Sequence, residues 1–321
     1  MTTPTSSEYE AIKSLKQINR EEFILSGTAI CGGCGGLEAL RLAAKVIGPK
    51  VVYVNAAGCF TLLATFPYTP FKGSWLYTSM ASAAAGAQGV RDALDVLIAR
   101  GKLSASEDLD VVVVAGDGST YDMALSSTSG AIFRGLNFWY FCYDNESYGN
   151  TGMQMSSATP YGVRTQTTPV GAKARAGTEH GKKDLFEIWR AHRPAYLATV
   201  SPRFPIDLTN KFLEAKQLRG PKLFIAHAPC PTGWLYEPEL TADYARSAVE
   251  TGMFALKKAI DGVVTHTYVL RRQVPVDDYL RGQGRYRHLF EPTRNNEAIQ
   301  KIQEQVDRYW ADVHETTGAA R

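Results

Sequence analysis

The sequence lacks a strong excess of either charge and any long hydrophobic run. Its 35 Lys and Arg against 32 Asp and Glu leave a formal net charge of +3, and the basic residues are spread along the chain. A protein that binds a phosphate backbone needs denser basic clusters. The apolar run at residues 111–115 is far too short to cross a bilayer. Residues 1–8 are polar and lack the basic-then-apolar order of a signal peptide. We therefore expect no nucleic-acid partner, no membrane association and a cytoplasmic location.

Cysteine is scarce, and internal repeats and low-complexity segments are absent. Five cysteines in a reducing compartment are poor candidates for disulfides and better candidates for metal ligands. The 321 residues, 45% hydrophobic and 21% charged, are typical of a soluble globular protein that buries a large core.

Short apolar strands alternate with helical stretches along the chain. Strands are predicted at residues 51–54, 110–115, 137–143, 196–200 and 222–228, and helices at 81–100, 126–134, 185–191 and 206–217. This βαβα order predicts an α/β fold with a doubly wound, mostly parallel sheet. We predict one α/β domain over residues 1–230. A C-terminal extension over residues 231–321, with helical segments at 240–259 and 296–311, is expected to pack on that domain and on partner subunits.

Chemically informative residues follow several of the predicted strands. Cys59, Asp117, Asn145 and Cys230 each come just after one. Ligands of such sheets sit at the carboxyl ends of the strands, so we expect these side chains to share one site.

The segment Gly116-Asp117-Gly118-Ser119 lets the backbone approach phosphate oxygens closely, while Asp117 offers a carboxylate to Mg²⁺. Taken alone, this segment is also typical of an ordinary strand-to-loop turn. The amide oxygen of Asn145 and the main-chain carbonyl of Ser147 can supply two further ligands. The two elements together are typical of a thiamine diphosphate–Mg²⁺ site.

Cys31 and Cys34 form a Cys-x-x-Cys pair, and Cys59 and Cys230 arrive from distant parts of the chain. Four thiolates suit an iron–sulfur cluster or a structural zinc ion about equally well. The first pair alone could be a redox motif, and the distant cysteines could be small core residues. Cys142 lies inside a predicted strand and is expected in the core.

Several motifs in the same order resemble the β subunit of the 2-oxoacid:ferredoxin oxidoreductases, of which the pyruvate enzyme is the best-known member. The matching motifs are Cys-Gly-Gly-Cys-Gly at 31–35, residues 55–59, Gly-Asp-Gly at 116–118, Asp-Asn-Glu-Ser-Tyr-Gly-Asn-Thr-Gly-Met-Gln at 144–154, Ala-Thr-Pro at 158–160, Gly-Lys-Lys-Asp at 181–184 and Pro-Cys-Pro-Thr-Gly-Trp at 229–234. The resemblance implies the diphosphate-binding type of the thiamine-diphosphate-binding fold.

The resemblance also implies the site residues. Asp117, Asn145 and the Ser147 carbonyl are expected to bind Mg²⁺, and Cys31, Cys34, Cys59 and Cys230 to hold a [4Fe–4S] cluster. Asn150 and Thr151 are expected beside the cofactor on the substrate side, as catalytic residues. The full set expected to contact the cofactor is Gly58, Gly116, Asp117, Gly118, Ser119, Asn145, Tyr148, Gly149, Asn150 and Thr151.

The activity implied by the resemblance is CoA-dependent oxidative decarboxylation of a 2-oxoacid, with pyruvate as the first expectation and electrons passed to ferredoxin. Partner α and γ subunits and a ferredoxin-like δ subunit are implied, and in the family the α subunit carries the Glu that activates the cofactor. This chain is therefore expected to be inactive alone. Thr28, Ala57 and residues 80–83 depart from the family pattern and weaken the expectation of pyruvate. The alternatives are an aryl substrate such as phenylglyoxylate, a branched-chain 2-oxoacid, oxalate, or a non-enzymatic, zinc-stabilised assembly module.

The remaining polar residues carry weaker signals. The six histidines show no paired metal spacing, and His227 is expected in the core. Lys182 and Lys183 are expected at a solvated surface or a subunit contact.

Overall fold

The computed structural model describes residues 9–172, 175–270, 272 and 274–317, and these residues form an eight-stranded sheet. The strands are β1 (Val51–Ala56), β2 (Ser74–Thr78), β3 (Asp110–Gly116), β4 (Trp139–Asp144), β5 (Tyr196–Val200), β6 (Lys222–His227), β7 (Lys257–Ile260) and β8 (Val263–His266). Their order across the sheet is β2-β1-β3-β4-β6-β5-β7-β8. The first six strands pair in parallel, whereas β7 and β8 are antiparallel.

Helices cover both faces of this sheet. They are α1 (Gly35–Ile47), α2 (Ala83–Ala99), α3 (Leu125–Phe133), α4 (Leu185–Arg190), α5 (Pro205–Lys216), α6 (Pro231–Trp234), α7 (Thr241–Glu250), α8 (Val276–Leu280) and α9 (Asn296–Thr317). Helices α1 and α5 pack on one face and α2, α3 and α4 on the other, each with its own buried apolar cluster. The predicted doubly wound, mostly parallel sheet is confirmed.

The central strands are buried on both faces, which explains their continuous apolar sequences. Residues 111–115 of β3 and all six residues of β4 are buried. Trp139 of β4 stacks with Phe212 of α5 at 5.7 Å between ring centroids, and Phe212 stacks with Phe224 of β6 at 3.8 Å. Since strand order reverses between β1 and β3, a crevice opens at the carboxyl ends of these strands.

Two features of the sheet differ from the prediction. The expected helix at 240–259 ends at Glu250, and residues 257–260 instead form β7, which pairs with β5 through Leu197 and Ala259. Strand β2 was not predicted, because it is a largely exposed edge strand without the apolar run of its neighbours. The predicted helix at 296–311 is confirmed and extends to Thr317.

The segment after residue 230 adds β7 and β8 to the sheet and contributes most of a third apolar cluster. Trp234, Tyr279 and Trp310 pack there, together with Val163 from the earlier part of the chain. The division between residues 230 and 231 stays a prediction. None of the helices in the described ranges has the length and apolar composition needed to cross a membrane. Residues 1–8, on which the expectation about a signal peptide depends, lie outside the described residues.

Candidate cofactor and metal site

A pocket opens at the carboxyl ends of β1, β3 and β4, where the crevice in the sheet lies. Its volume is about 590 Å³, including space open to solvent. All ten residues expected to contact the cofactor line it: Gly58, Gly116, Asp117, Gly118, Ser119, Asn145, Tyr148, Gly149, Asn150 and Thr151. Cys59 and Ser147 line it as well. The structure thus brings the predicted residues together, while their roles stay predictions.

Two glycines in the floor of this pocket lie directly against aromatic rings. A Cβ atom at Gly118 would lie 2.4 Å from the ring of Tyr148, and one at Gly116 would lie 3.0 Å from the ring of Tyr143. No side chain fits at either position without moving an aromatic ring. Glycine is therefore required at both positions by the packing of the tyrosine rings, and the close approach of phosphate to this backbone stays a prediction.

Three oxygen atoms converge beside this backbone. The side-chain oxygen of Asn145 faces Asp117 Oδ1 and the main-chain oxygen of Ser147, at 2.8 Å from each. Without a cation, the amide turned over would satisfy both acceptors, because its N–H₂ would donate to each at 2.8 Å; the oxygen-inward orientation requires a cation between the oxygens. Neighbouring ligands of an octahedral Mg²⁺ with bonds of about 2.0–2.1 Å are about 2.9 Å apart. The carboxylate, amide and carbonyl oxygens therefore fit a magnesium ion in chemistry and in spacing.

Asp117 is fully buried, which adds an electrostatic reason for a cation. Ser156 Oγ donates a hydrogen bond to its Oδ2. Burial, followed by the charge of Asp144, raises the pKa of Asp117 well above its ordinary value. A divalent cation beside Asp117 would offset both effects and keep the carboxylate ionised.

A buried network of charges lies behind the turn after β4 (residues 145–149). Lys182 Nζ lies 2.7 Å from Asp144 Oδ2 and 3.3 Å from Glu146 Oε1, and Arg285 Nη1 lies 2.7 Å from Glu146 Oε2. Burial lowers the pKa of Lys182, but Asp144 and Glu146 raise it by more, so its pKa lies above the ordinary value. Lys182 is therefore not simply solvated, because its partly buried side chain neutralises two buried carboxylates; the alternative expectation, a subunit contact, stays a prediction.

The turn after β4 is held from the C-terminal segment as well. Trp234 is fully buried and its Nε1 donates a hydrogen bond of 3.0 Å to the main-chain oxygen of Asn145. The guanidinium of Arg285 lies 3.7 Å from the centre of the Trp234 ring. Glu146 has φ +66°, a left-handed conformation that is uncommon for this residue type and that needs such support. Sequence reasoning missed Arg285, which lies in no motif.

The four cysteines of the predicted cluster site interact with one another. Burial, with a smaller contribution from neighbouring thiols, raises the pKa values of Cys34 and Cys59 to about 12; the contributing thiols are Cys230 and Cys31 for Cys34, and Cys230, Cys34 and Cys31 for Cys59. The main-chain N–H of Gly233 donates to Cys230 Sγ at 3.3 Å. Within the described ranges, no group of three or more His, Cys, Asp or Glu side chains is arranged to hold a single metal ion. Cys142 lies apart in β4 and is fully buried, as predicted.

The remaining predictions concern Asn150, Thr151 and His227. Asn150 and Thr151 are exposed at the pocket, and the Thr151 hydroxyl donates to the side-chain oxygen of Gln154. Their catalytic role stays a prediction. His227 is buried against Phe254, with ring centroids 4.7 Å apart, and burial lowers its pKa to about 3. The expectation of a core histidine is confirmed.

Comparisons with known proteins agree with this geometry. Residues 56–226 match the family model described as "Thiamine pyrophosphate enzyme, C-terminal TPP binding domain". Pyruvate synthase subunit PorB of Methanothermobacter thermautotrophicus is 41% identical over 292 residues, covering 91% of this chain and 97% of that protein. Ketoisovalerate oxidoreductase subunit VorB of Pyrococcus horikoshii is 34% identical over 304 residues, covering 94% of this chain and 95% of that protein.

Among solved structures, the chain is similar in fold to a 2-oxoglutarate:ferredoxin oxidoreductase from Magnetococcus marinus. The TM-score is 0.52 at 23% identity, and the match covers 64% of this chain and 66% of that chain.

Proposed function

Because the chain belongs to the β subunits of the 2-oxoacid:ferredoxin oxidoreductases, a family of thiamine pyrophosphate enzymes that work with partner subunits, we propose that it holds thiamine diphosphate–Mg²⁺ and a [4Fe–4S] cluster for the oxidative decarboxylation of pyruvate. The overall reaction converts a 2-oxoacid, CoA and an oxidised acceptor into acyl-CoA, CO₂ and a reduced acceptor. The single observation that carries the proposal is the convergence of three oxygens from Asp117, Asn145 and Ser147 on the glycine-lined pocket of the matched domain.

Each half of the site has a separate role in this proposal. Bound thiamine diphosphate supplies a nucleophilic thiazolium carbon for decarboxylation, and an iron–sulfur cluster accepts electrons one at a time. The three oxygens would hold the cation, and the backbone of Gly116–Ser119 would bind the diphosphate. Asn150 and Thr151 stand at the exposed rim, where a substrate enters.

The assignment of the cluster to Cys31, Cys34, Cys59 and Cys230 is supported by their mutual electrostatic interactions and by the position of Cys59 in the pocket wall. A cluster there would lie beside the cofactor. We propose a ferredoxin or ferredoxin-like subunit as the electron acceptor.

Pyruvate is proposed because several relatives at 34–42% identity are pyruvate synthase subunits. A branched-chain 2-oxoacid is the second candidate, since a ketoisovalerate oxidoreductase subunit is 34% identical over nearly the whole chain. Family membership overturns the alternative of a non-enzymatic assembly module. Phenylglyoxylate and oxalate have no support among these relatives.

Anaerobic co-purification with the α, γ and δ subunits tests the proposal. We expect about four irons with matching labile sulfide on this chain, together with thiamine diphosphate and Mg²⁺. Replacing Cys31, Cys34, Cys59 or Cys230 by Ser should lower the iron content, whereas Cys142→Ala, as the control, should not. One zinc without labile sulfide would overturn the cluster assignment.

The substrate is tested on the same preparation. CoA-dependent acceptor reduction is measured with pyruvate, 3-methyl-2-oxobutanoate, phenylglyoxylate and oxalate. We expect the highest kcat/KM with pyruvate, and a preference for the branched acid would favour the second candidate. The chain without partner subunits should show no decarboxylation, and steady turnover by it alone would contradict the shared-site proposal.

A further inference from the structure

The side chain of Asn145 contacts both the oxygens of the predicted cation site and a cysteine of the predicted cluster site. Its oxygen faces Asp117 Oδ1 and the Ser147 carbonyl, while its Nδ2 lies 3.9 Å from Cys59 Sγ and donates to that sulfur. The Asn145 side chain is almost fully buried. One planar group therefore links a predicted cation ligand set to a predicted cluster ligand.

The orientation of this carboxamide determines the contacts of its oxygen and of its nitrogen together. If the amide turned over, its N–H₂ would donate to Asp117 Oδ1 and Ser147 O at 2.8 Å, and its oxygen would face Cys59. With no cation, that orientation is favoured because it makes two hydrogen bonds. With a cation between the three oxygens, the amide oxygen must face the cation, and the N–H₂ must then face the sulfur.

We propose that Asn145 is a positioning residue that couples the two cofactors: cation binding orients its N–H toward Cys59 Sγ and thereby raises the reduction potential of the cluster. This inference rests on the proposed function, since it requires both Mg²⁺ and a cluster. A hydrogen bond to a cluster thiolate stabilises the more negative, reduced state, so its loss shifts the potential to more negative values.

The surroundings of Asn145 are built for this contact. A Cβ atom at Gly149 would lie 2.7 Å from Asn145 Nδ2 and 3.3 Å from Cys59 Sγ, so only glycine leaves the contact undisturbed. Trp234 fixes the main chain of Asn145 through its carbonyl. The amide is thus held between the oxygens of Asp117 and Ser147 on one side and Cys59 Sγ on the other, and the main motion left to it is a rotation that exchanges its oxygen and nitrogen.

The test compares the wild-type complex, loaded with Mg²⁺, thiamine diphosphate and cluster, with Asn145→Asp. The variant keeps an oxygen for the cation but has no N–H₂ to donate. Two readouts are measured: the midpoint potential by EPR-monitored titration, and the exchangeable deuterons coupled to the reduced cluster in D₂O by pulsed ENDOR. We expect a more negative potential and the loss of one coupled deuteron signal. The Gly233 N–H on Cys230 serves as an internal control, because its signal should remain.

A second variant covers the case in which Asn145→Asp fails to fold or loses Mg²⁺. Gly149→Ala keeps all three oxygens and adds no charge, yet its methyl group displaces the Asn145–Cys59 contact. We expect the same directions for both readouts, and Mg²⁺ content is measured in parallel so that only cation-loaded protein is compared.

The outcomes separate the inference from the proposed function. A wild-type complex without iron and labile sulfide overturns both. A wild-type complex with cluster and Mg²⁺, whose potential and deuteron couplings are unchanged in these variants, overturns the coupling by Asn145 and leaves the proposed function standing.

Discussion

Glu146 and Arg285 form a buried ion pair, with 2.7 Å between Oε2 and Nη1 and both side chains less than a tenth exposed. The pair joins the turn after β4 to the C-terminal segment. Because Glu146 lies between Asn145 and Ser147, the pair sets the backbone from which two of the three converging oxygens project. Lys182 completes the neutralisation of Glu146 and of the buried Asp144.

Arg285→Met should destabilise the chain strongly. The variant leaves the Glu146 carboxylate buried with one partner fewer, for which we expect a loss of about 3–5 kcal/mol in the free energy of unfolding. The measurement is urea unfolding followed by tryptophan fluorescence. Arg281→Met is the matched control, because Arg281 is 61% exposed and pairs with Asp277 on the surface. We expect that control to change stability by about 1 kcal/mol or less. Equal effects at the two positions would contradict the buried-pair argument.

Trp234→Phe should weaken cation binding specifically, in addition to lowering the overall stability of the chain. The variant keeps an aromatic ring beneath Arg285 but removes the N–H that holds the Asn145 carbonyl, at a cost of about 1–3 kcal/mol. The Mg²⁺ concentration at which half of the protein retains thiamine diphosphate should then rise about fivefold for each 1 kcal/mol of stabilisation that the turn loses.

Trp310→Phe is the control for that measurement. It removes a similar buried N–H, which donates to the Gly252 carbonyl at 3.1 Å, in the third apolar cluster. The control should lose comparable stability with no change in Mg²⁺ dependence. A parallel change in both variants would mean that the effect at Trp234 is only general destabilisation.

Asp117→Asn should abolish retention of thiamine diphosphate, because it removes the charged ligand from the converging oxygens. At the same time it should not destabilise the cofactor-free chain, since burial and Asp144 disfavour the ionised Asp117 carboxylate in that state. Cofactor content after gel filtration and the melting temperature of the cofactor-free protein are the two measurements.

Asp184→Asn is the matched control. Asp184 is the exposed N-cap of α4 and accepts from the Glu187 N–H, and Asn caps a helix equally well. Both cofactor content and melting temperature should stay at wild-type values. Normal cofactor content in Asp117→Asn would refute the role of Asp117 at the cation.

His227 should make the folded chain lose stability in acid. Burial lowers its pKa from 6.5 to about 3, so the unfolded chain takes up a proton between these values while the folded chain does not. The stabilisation is therefore complete above pH 6.5 and is lost as the pH falls toward 3. From pH 7 to pH 5 the loss is about 2 kcal/mol.

The measurement compares wild type with His227→Leu by urea unfolding at the two pH values. The stability difference between the two proteins should change by about 2 kcal/mol in favour of the variant at pH 5. His180→Leu is the control, because His180 is exposed. A difference that stays constant with pH would show that His227 accepts a proton in the folded chain.

Much of the fold could be predicted because the central strands carry their own signal. β3 and β4 are buried on both faces, so their sequences are continuous apolar runs. The first run ends at Gly116 and the second at Asp144-Asn145, where the site begins. β2 and β7 carry no such signal. β2 is an exposed edge strand, and β7 is a four-residue strand whose pairing with β5 depends on residues far away in the chain.

The ligand types, and the strand ends at which they stand, could be predicted from the local motifs at 116–118 and 144–154, because parallel strands place their carboxyl ends together. Folding determines how the turn after β4 is held, because Lys182, Trp234 and Arg285 reach it from three separate segments. It also determines that one amide of Asn145 touches both the oxygens and Cys59. A motif specifies the chemistry of a ligand because its residues are neighbours in sequence. Buried charged and polar groups, in contrast, need ion-pair and hydrogen-bond partners that come from distant segments, so these partners are known only once the chain is folded.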